Sequence, residues 1–169
     1  NISTYDTQYK DNMGYFIVYE ELPTTTYSNI TLEHYLEEGQ LDINFKKQRI
    51  NSSQNGFHQQ PRLTYLYRNR NVDNNTKSND FIIMWLKYNK EDNNYNLYSQ
   101  IYTNNKKRKN FDIPLGVIYN SEKCVDLNSI QINNNTILIS WCGEDSDVHN
   151  FSIYGILIDF GCNIIKDRF

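Results

Sequence analysis

The chain has 169 residues and a formal net charge of −3, long enough to bury a core and without the broad positive surface that nucleic-acid binding needs. Only 38% is hydrophobic, yet aromatics reach 14%, with 14 Tyr and 8 Phe, while alanine is absent and Asn and Ile abound. That balance favours strands over helices, although AT-rich codon usage contributes to the Asn excess. No apolar run approaches the roughly 18 residues of a membrane-spanning helix, and no segment reads as a signal peptide.

Short β-branched and aromatic runs bounded by turn-prone residues predict strands along the whole chain. The first four fall near 2–5, 14–19, 30–35 and 41–50. The next four fall near 62–67, 81–86, 96–102 and 111–117, with Lys106-Lys107-Arg108-Lys109 expected as a solvated loop or an edge strand. The last group falls near 125–132, 136–142 and 152–159, with a truncated strand near Ile164. The Asn133-Asn134-Asn135 stretch predicts a tight hairpin, because Asn tolerates left-handed backbone angles.

These groups repeat one another. Trp85 and Trp141 are 56 positions apart, and so are Tyr98 and Tyr154, each pair sitting in matching apolar contexts. A weaker first copy places 14–19 and 30–35 at offsets of 66 and 67 from the second. The reading is an all-β chain of about three four-stranded antiparallel units, spanning approximately 1–57, 58–122 and 123–169. Propeller-like blades would explain why Phe81-Ile82-Ile83-Met84-Trp85 is apolar on both sides, since neighbouring blades cover both faces. A β-sandwich is the alternative. The sequence opens on Asn1 without Met and closes on Arg168-Phe169 where a further strand is expected, so it reads as a piece of a longer protein.

The order Gln60-Pro61-Arg62-Leu63, Phe81-Ile82-Ile83-Met84-Trp85 and Leu97-Tyr98-Ser99-Gln100-Ile101-Tyr102, with Ile158-Asp159-Phe160-Gly161 near the last element, resembles the tandem repeats of very large secreted surface adhesins. Those repeats read roughly as Q-x-x-P-x-V, F-V-V-x-W and Y-x-Q-x-F-D-x-x-G. The resemblance implies a non-catalytic extracellular repeat used for adhesion or surface assembly. The family carries Asp-Gly-rich loops between its second and third strands, where this chain has Asn-rich, glycine-poor ones.

Six Asn-x-Ser/Thr sequons, at Asn1, Asn29, Asn51, Asn74, Asn134 and Asn150, exceed the roughly three that chance supplies at this Asn content. They are the candidate glycan acceptors of a secreted chain. Cys124 and Cys142 lie near the open end of the hairpin centred on Asn133, which places a disulfide there, with Cys162 left for another partner; three free thiols are the reading for a reducing compartment. Asp92, Asn94, Asp145 and Asp147 line two equivalent loops with the alternating oxygens that begin a calcium site. The first loop lacks the turn glycine and neither has the downstream Glu, so solvated hairpin tips are the plainer reading and no cofactor is expected.

Trp85 and Trp141, at matching positions, are expected in the core. Tyr5, Tyr27, Tyr88 and Tyr95 are the candidates for an exposed sugar platform. His34, His58 and His149 are widely spaced and predict no zinc site. Glu20-Glu21 and Glu37-Glu38 are adjacent, so a strand sends their carboxylates to opposite faces; no nucleophile elbow, phosphate loop or sialidase-type box is present. The sequence therefore predicts a secreted or cell-surface glycoprotein repeat that is not an enzyme. Its partners would be copies of itself or neighbouring repeats, without nucleic acid or membrane insertion. A carbohydrate-binding propeller is the second reading, and a fragment of a propeller glycoside hydrolase the third.

Overall fold

The protein is described here from a computed structural model covering residues 2–6, 14–53, 55–66, 80–91, 94–103, 106–107, 112–118, 124–145 and 150–169. Every regular element among these residues is a strand, and all pairing is antiparallel, in three sheets. The first sheet runs β1 (Ile2–Asp6), β2 (Tyr15–Glu21), β3 (Asn29–Tyr35), β4 (Gln48–Arg49) in sequence order. The second runs β5 (Phe57–Tyr65), β6 (Phe81–Asn89), β7 (Asn94–Thr103), β8 (Lys106–Lys107), with β9 (Ile113–Ile118) also pairing to β7. The third runs β10 (Cys124–Asn133), β11 (Thr136–Asp145), β12 (Asn150–Asp159), β13 (Ile164–Lys166).

The second sheet lies between the other two and is buried on both faces. Residues 81–86 are all fully buried, and strand alternation divides them. Phe81, Ile83 and Trp85 join Phe16, Val18, Ile30 and Leu32 of the first sheet in one hydrophobic cluster. Ile82, Met84 and Leu86 join Ile137, Ile139 and Trp141 of the third sheet in another. The two-sided apolar run in the sequence thus has its expected cause. Each such side chain contributes about 1.5–3 kcal/mol by leaving water.

The repeat is visible in the register. Trp85 pairs with Tyr98 and Trp141 with Tyr154, each with ring centroids 6.1 Å apart. Tyr19 pairs with Thr31 at the corresponding place in the first sheet. Opposite each tryptophan the partner strand carries a β-bulge. The second sheet's register shifts between Gln59 and Arg62, and the third sheet's between Val125 and Asn128. The first residue of each bulge is left-handed, Gln60 at φ 50° and Asp126 at φ 58°. The two bulges touch: the Leu127 amide donates to Gln60 Oε1 at 3.1 Å. Thr64 and Ser129 are hydrogen-bonded between the same two strands.

Two local expectations are corrected. The last strand of the first unit, expected over 41–50, shrinks to Gln48–Arg49 and an isolated bridge between Tyr35 and Leu41. Asp42 is the reason: its Oδ1 accepts from the Asn44 amide at 2.9 Å and its carbonyl from the Phe45 amide at 3.0 Å, closing a turn that competes with the ladder. The Asn134-Asn135 hairpin is tight, with Asn133 paired to Thr136, but its asparagines are not left-handed. Asn133 Oδ1 instead accepts from the Asn135 amide at 2.9 Å.

The polar rim between the first two sheets is stitched by side chains. Lys107 donates to the Ile50 carbonyl at 2.5 Å, the Ser52 amide donates to Asp112 at 2.9 Å, and Tyr102 donates to Gln48 at 3.3 Å. Lys106–Lys107 is therefore an edge strand with a docking role. Gly14 enters β2 at φ 71°, and a Cβ there would lie 1.8 Å from the Tyr35 carbonyl, so glycine alone fits.

Candidate functional site

Two kinds of place stand out: the buried rung at Trp85 and the outward faces of the outer sheets. At the rung, Trp85 Nε1 donates to His58 Nδ1 at 3.0 Å. The main chain of His58 is held by Ser28, whose hydroxyl donates to the His58 carbonyl and accepts from its amide, both at 2.7 Å. A loop of the first sheet is thus bonded to β5 of the second. Burial pushes His58 down to about 4, with the Lys87 ammonium adding in the same direction, so the imidazole is neutral near pH 7. Its Nδ1 is the acceptor, which puts the proton on Nε2. The position matching His58 in the third sheet is Cys124, and Trp141 Nε1 finds no hydrogen-bond partner among the described residues. Such a site binds a sheet to its neighbour; it presents nothing to a substrate.

The outward face of the third sheet is apolar. Register places Ile130, Leu138 and Leu157 side by side, and Cys142 beside Ile153. Ile153 is 82% exposed, whereas Leu97 at the matching place in the second sheet is 1% exposed. Phe169 lies across Gly155, where an added Cβ would meet its ring at 3.1 Å, and their backbones exchange two hydrogen bonds of 3.1 Å. The outward face of the first sheet has a different character. Tyr15 stacks on Tyr35 at 5.6 Å, Ile17 lies between Tyr15 and Tyr19 on the same face, and Lys47 sits 5.7 Å over the Tyr19 ring. Lys47 also reaches Glu21 at 2.8 Å and Glu33 at 4.0 Å, offsetting one of the two carboxylate charges.

The predicted sites fall unevenly on this frame. Asn134 is exposed at its hairpin tip, where a glycan has room. Asn29 is half-buried at the start of β3. Asn51 is only 1% exposed, its Oδ1 accepts from the Ile30 amide at 2.7 Å and its Nδ2 donates to the Ser53 carbonyl at 2.6 Å. Asn51 is therefore a structural bracket between β3 and the 50–53 segment, and its folded environment leaves no space for a glycan. Asn1 and Asn74 lie outside the described residues, and of Asn150 only the strand position, opposite Asp145, is described.

The bridge expected between Cys124 and Cys142 is absent. Cys142 forms no disulfide, and the register pairs Cys124 with Gly143 and Cys142 with Val125. A bridge across the ladder needs direct or two-residue opposition, and this register is one residue out of step for it. Asp92 and Asp147 lie outside the described residues; Asn94 and Asp145 close the β6–β7 and β11–β12 hairpins. No cluster of three His, Cys, Asp or Glu side chains is placed to hold a metal among the described residues. Tyr88 and Tyr95 pair with each other, rings 5.1 Å apart, and they and Tyr27 are half-buried rather than open; Tyr5 is placed only as a β1 position. Trp85 and Trp141 are in the core. A shallow groove of about 450 Å³ between β5 and β10 is lined by Leu63, Thr64, Tyr65, Ser129, Ile130 and Gln131.

The rung acceptor His58, its anchor Ser28 and the bare Ile153 face were not singled out by the sequence reading. The alternation Phe151, Ile153, Gly155, Leu157 along β12 was the available signal for the last. No family model matches the chain, and no curated protein or solved structure matches it either.

Proposed function

We propose that this chain is a non-catalytic structural or adhesive repeat of an extracellular surface assembly, its three sheets acting as propeller-like blades that dock face to face. The observation that supports the reading best is the recurrence of one docking pattern. Phe81, Ile83 and Trp85 meet the first sheet as Ile137, Ile139 and Trp141 meet the second, and the third sheet carries one more aliphatic face that no further sheet covers among the described residues. Contiguous exposed apolar surface of this kind marks an interaction site. The glycoprotein part of the reading rests on the sequon excess and on the exposed Asn134.

Intact-mass measurement of the protein from its native source, before and after enzymatic removal of N-glycans, tests this reading. The expected result is a glycosylated species in the cell-surface or secreted fraction whose mass falls on treatment, with modification at Asn134 and none at Asn51. An unmodified polypeptide confined to the cell interior would contradict it. The groove between β5 and β10 supports carbohydrate binding as a second reading. Its largely apolar wall and buried Tyr65 offer little of the polar, aromatic surface that sugars use.

A further inference from the structure

We infer that a second copy of this chain docks through the outward face of its first sheet onto the outward face of the third sheet, head to tail. The inference rests on the assembly reading above and names its partner and its two surfaces. Each internal interface joins a donor face, set by even-numbered positions of the hairpin's first strand, to an acceptor face of the next sheet. The donor positions are Phe16 and Val18 in the first sheet and Ile82 and Met84 in the second. By register the third sheet's donor face is built at Leu138, Ser140 and Cys142, with Leu157, Gly155 and Ile153 opposite on β12. It is the outward face already described.

The acceptor positions are Phe81, Ile83 and Trp85 in the second sheet and Ile137, Ile139 and Trp141 in the third. At the matching offset the first sheet presents Tyr15, Ile17 and Tyr19, half-buried and unopposed by another sheet among the described residues. The chain therefore exposes one unused donor face and one unused acceptor face of the pattern it already uses twice. The donor face is aliphatic at Ile130, Leu138, Ile153 and Leu157 with Lys166 paired to Leu157 at its edge, and the acceptor face carries Glu21 and Glu33 against Lys47. Two third-sheet faces meeting each other would not reproduce the donor-to-acceptor pairing of both internal interfaces. A joint between two different faces is heterologous, so it builds a ring if the rotation closes and a filament if it does not.

Two single-face variants separate these possibilities: Ile153→Lys spoils the donor face and Ile17→Lys the acceptor face. Sedimentation velocity on each variant alone should show monomer, with association weakened at least about tenfold. An equimolar mixture should form a discrete dimer, because each variant keeps the face the other lacks. Circular dichroism and thermal melting establish that both are folded, and Ile153→Thr and Ile17→Thr replace any lysine variant that is not. A mixture of folded variants that stays monomeric overturns the inference. So does an Ile17 variant that associates as strongly as the unmodified chain, which would mean third sheet against third sheet. Failure here leaves the glycan and surface-fraction result untouched, and an assembling but unglycosylated intracellular protein would sink the functional reading alone.

Discussion

Trp85 and Trp141 occupy the same place in successive sheets, yet only Trp85 Nε1 has an acceptor, His58, within the described residues. Removing the indole N–H at position 85 leaves a buried imidazole nitrogen unpaired, whereas at position 141 it relieves a buried unpaired donor. Trp85→Phe should therefore cost about 1–2 kcal/mol more than Trp141→Phe in chemical denaturation. His58 makes the same rung sensitive to acid. Its pKa falls from the ordinary histidine value of 6.5 to about 4 on folding, so between those values the unfolded chain binds a proton that the folded chain does not. Stability is then complete above about pH 6.5 and is lost as pH falls towards 4, by up to roughly 3 kcal/mol. His58→Gln keeps an acceptor without the titration and should flatten the stability profile between pH 7 and 4.5 relative to the unmodified chain. An unchanged slope would show that the carboxylates alone carry the acid response.

At the scale of elements, the bulges opposite the tryptophans are equivalent in position and different in cost. Asp126 is exposed and left-handed, so Asp126→Gly should stabilise by about 0.5–1 kcal/mol. Gln60→Gly should gain nothing net, because it also removes the bond to the Leu127 amide. Equal gains at both positions would show that this bond contributes little. Neither bulge was legible beforehand: the sequence marks left-handed bulges by glycine, and here Gln and Asp take those angles. The strands themselves were legible, because Phe81–Trp85 and Ile137–Trp141 combine high β propensity with burial on fixed faces. The fourth strand of the first unit was not, since a single Asp42 side chain redirects its backbone into a turn. Asn51 shows the same limit from the other side. Its sequon is a three-residue pattern, while its burial depends on β3 lying alongside the 50–53 segment.

For the whole molecule, stacking order decides which sheet faces are covered and which are left outward. Ile153 and Leu97 are alike in sequence context, and only the presence of a following sheet separates an 82% exposed side chain from one 1% exposed. A sequence reading finds the repeat but cannot count which faces are covered, so the exposed outward face came from the structure. Sedimentation velocity of the unmodified chain over a wide concentration range tests the central claim, that the outward sheet faces are docking faces. The account predicts a weight-average mass of 20.1 kDa at the dilute limit that climbs steadily with concentration and drops back when Ile153 is replaced by lysine. A mass that stays at that of the single chain at every concentration would contradict it.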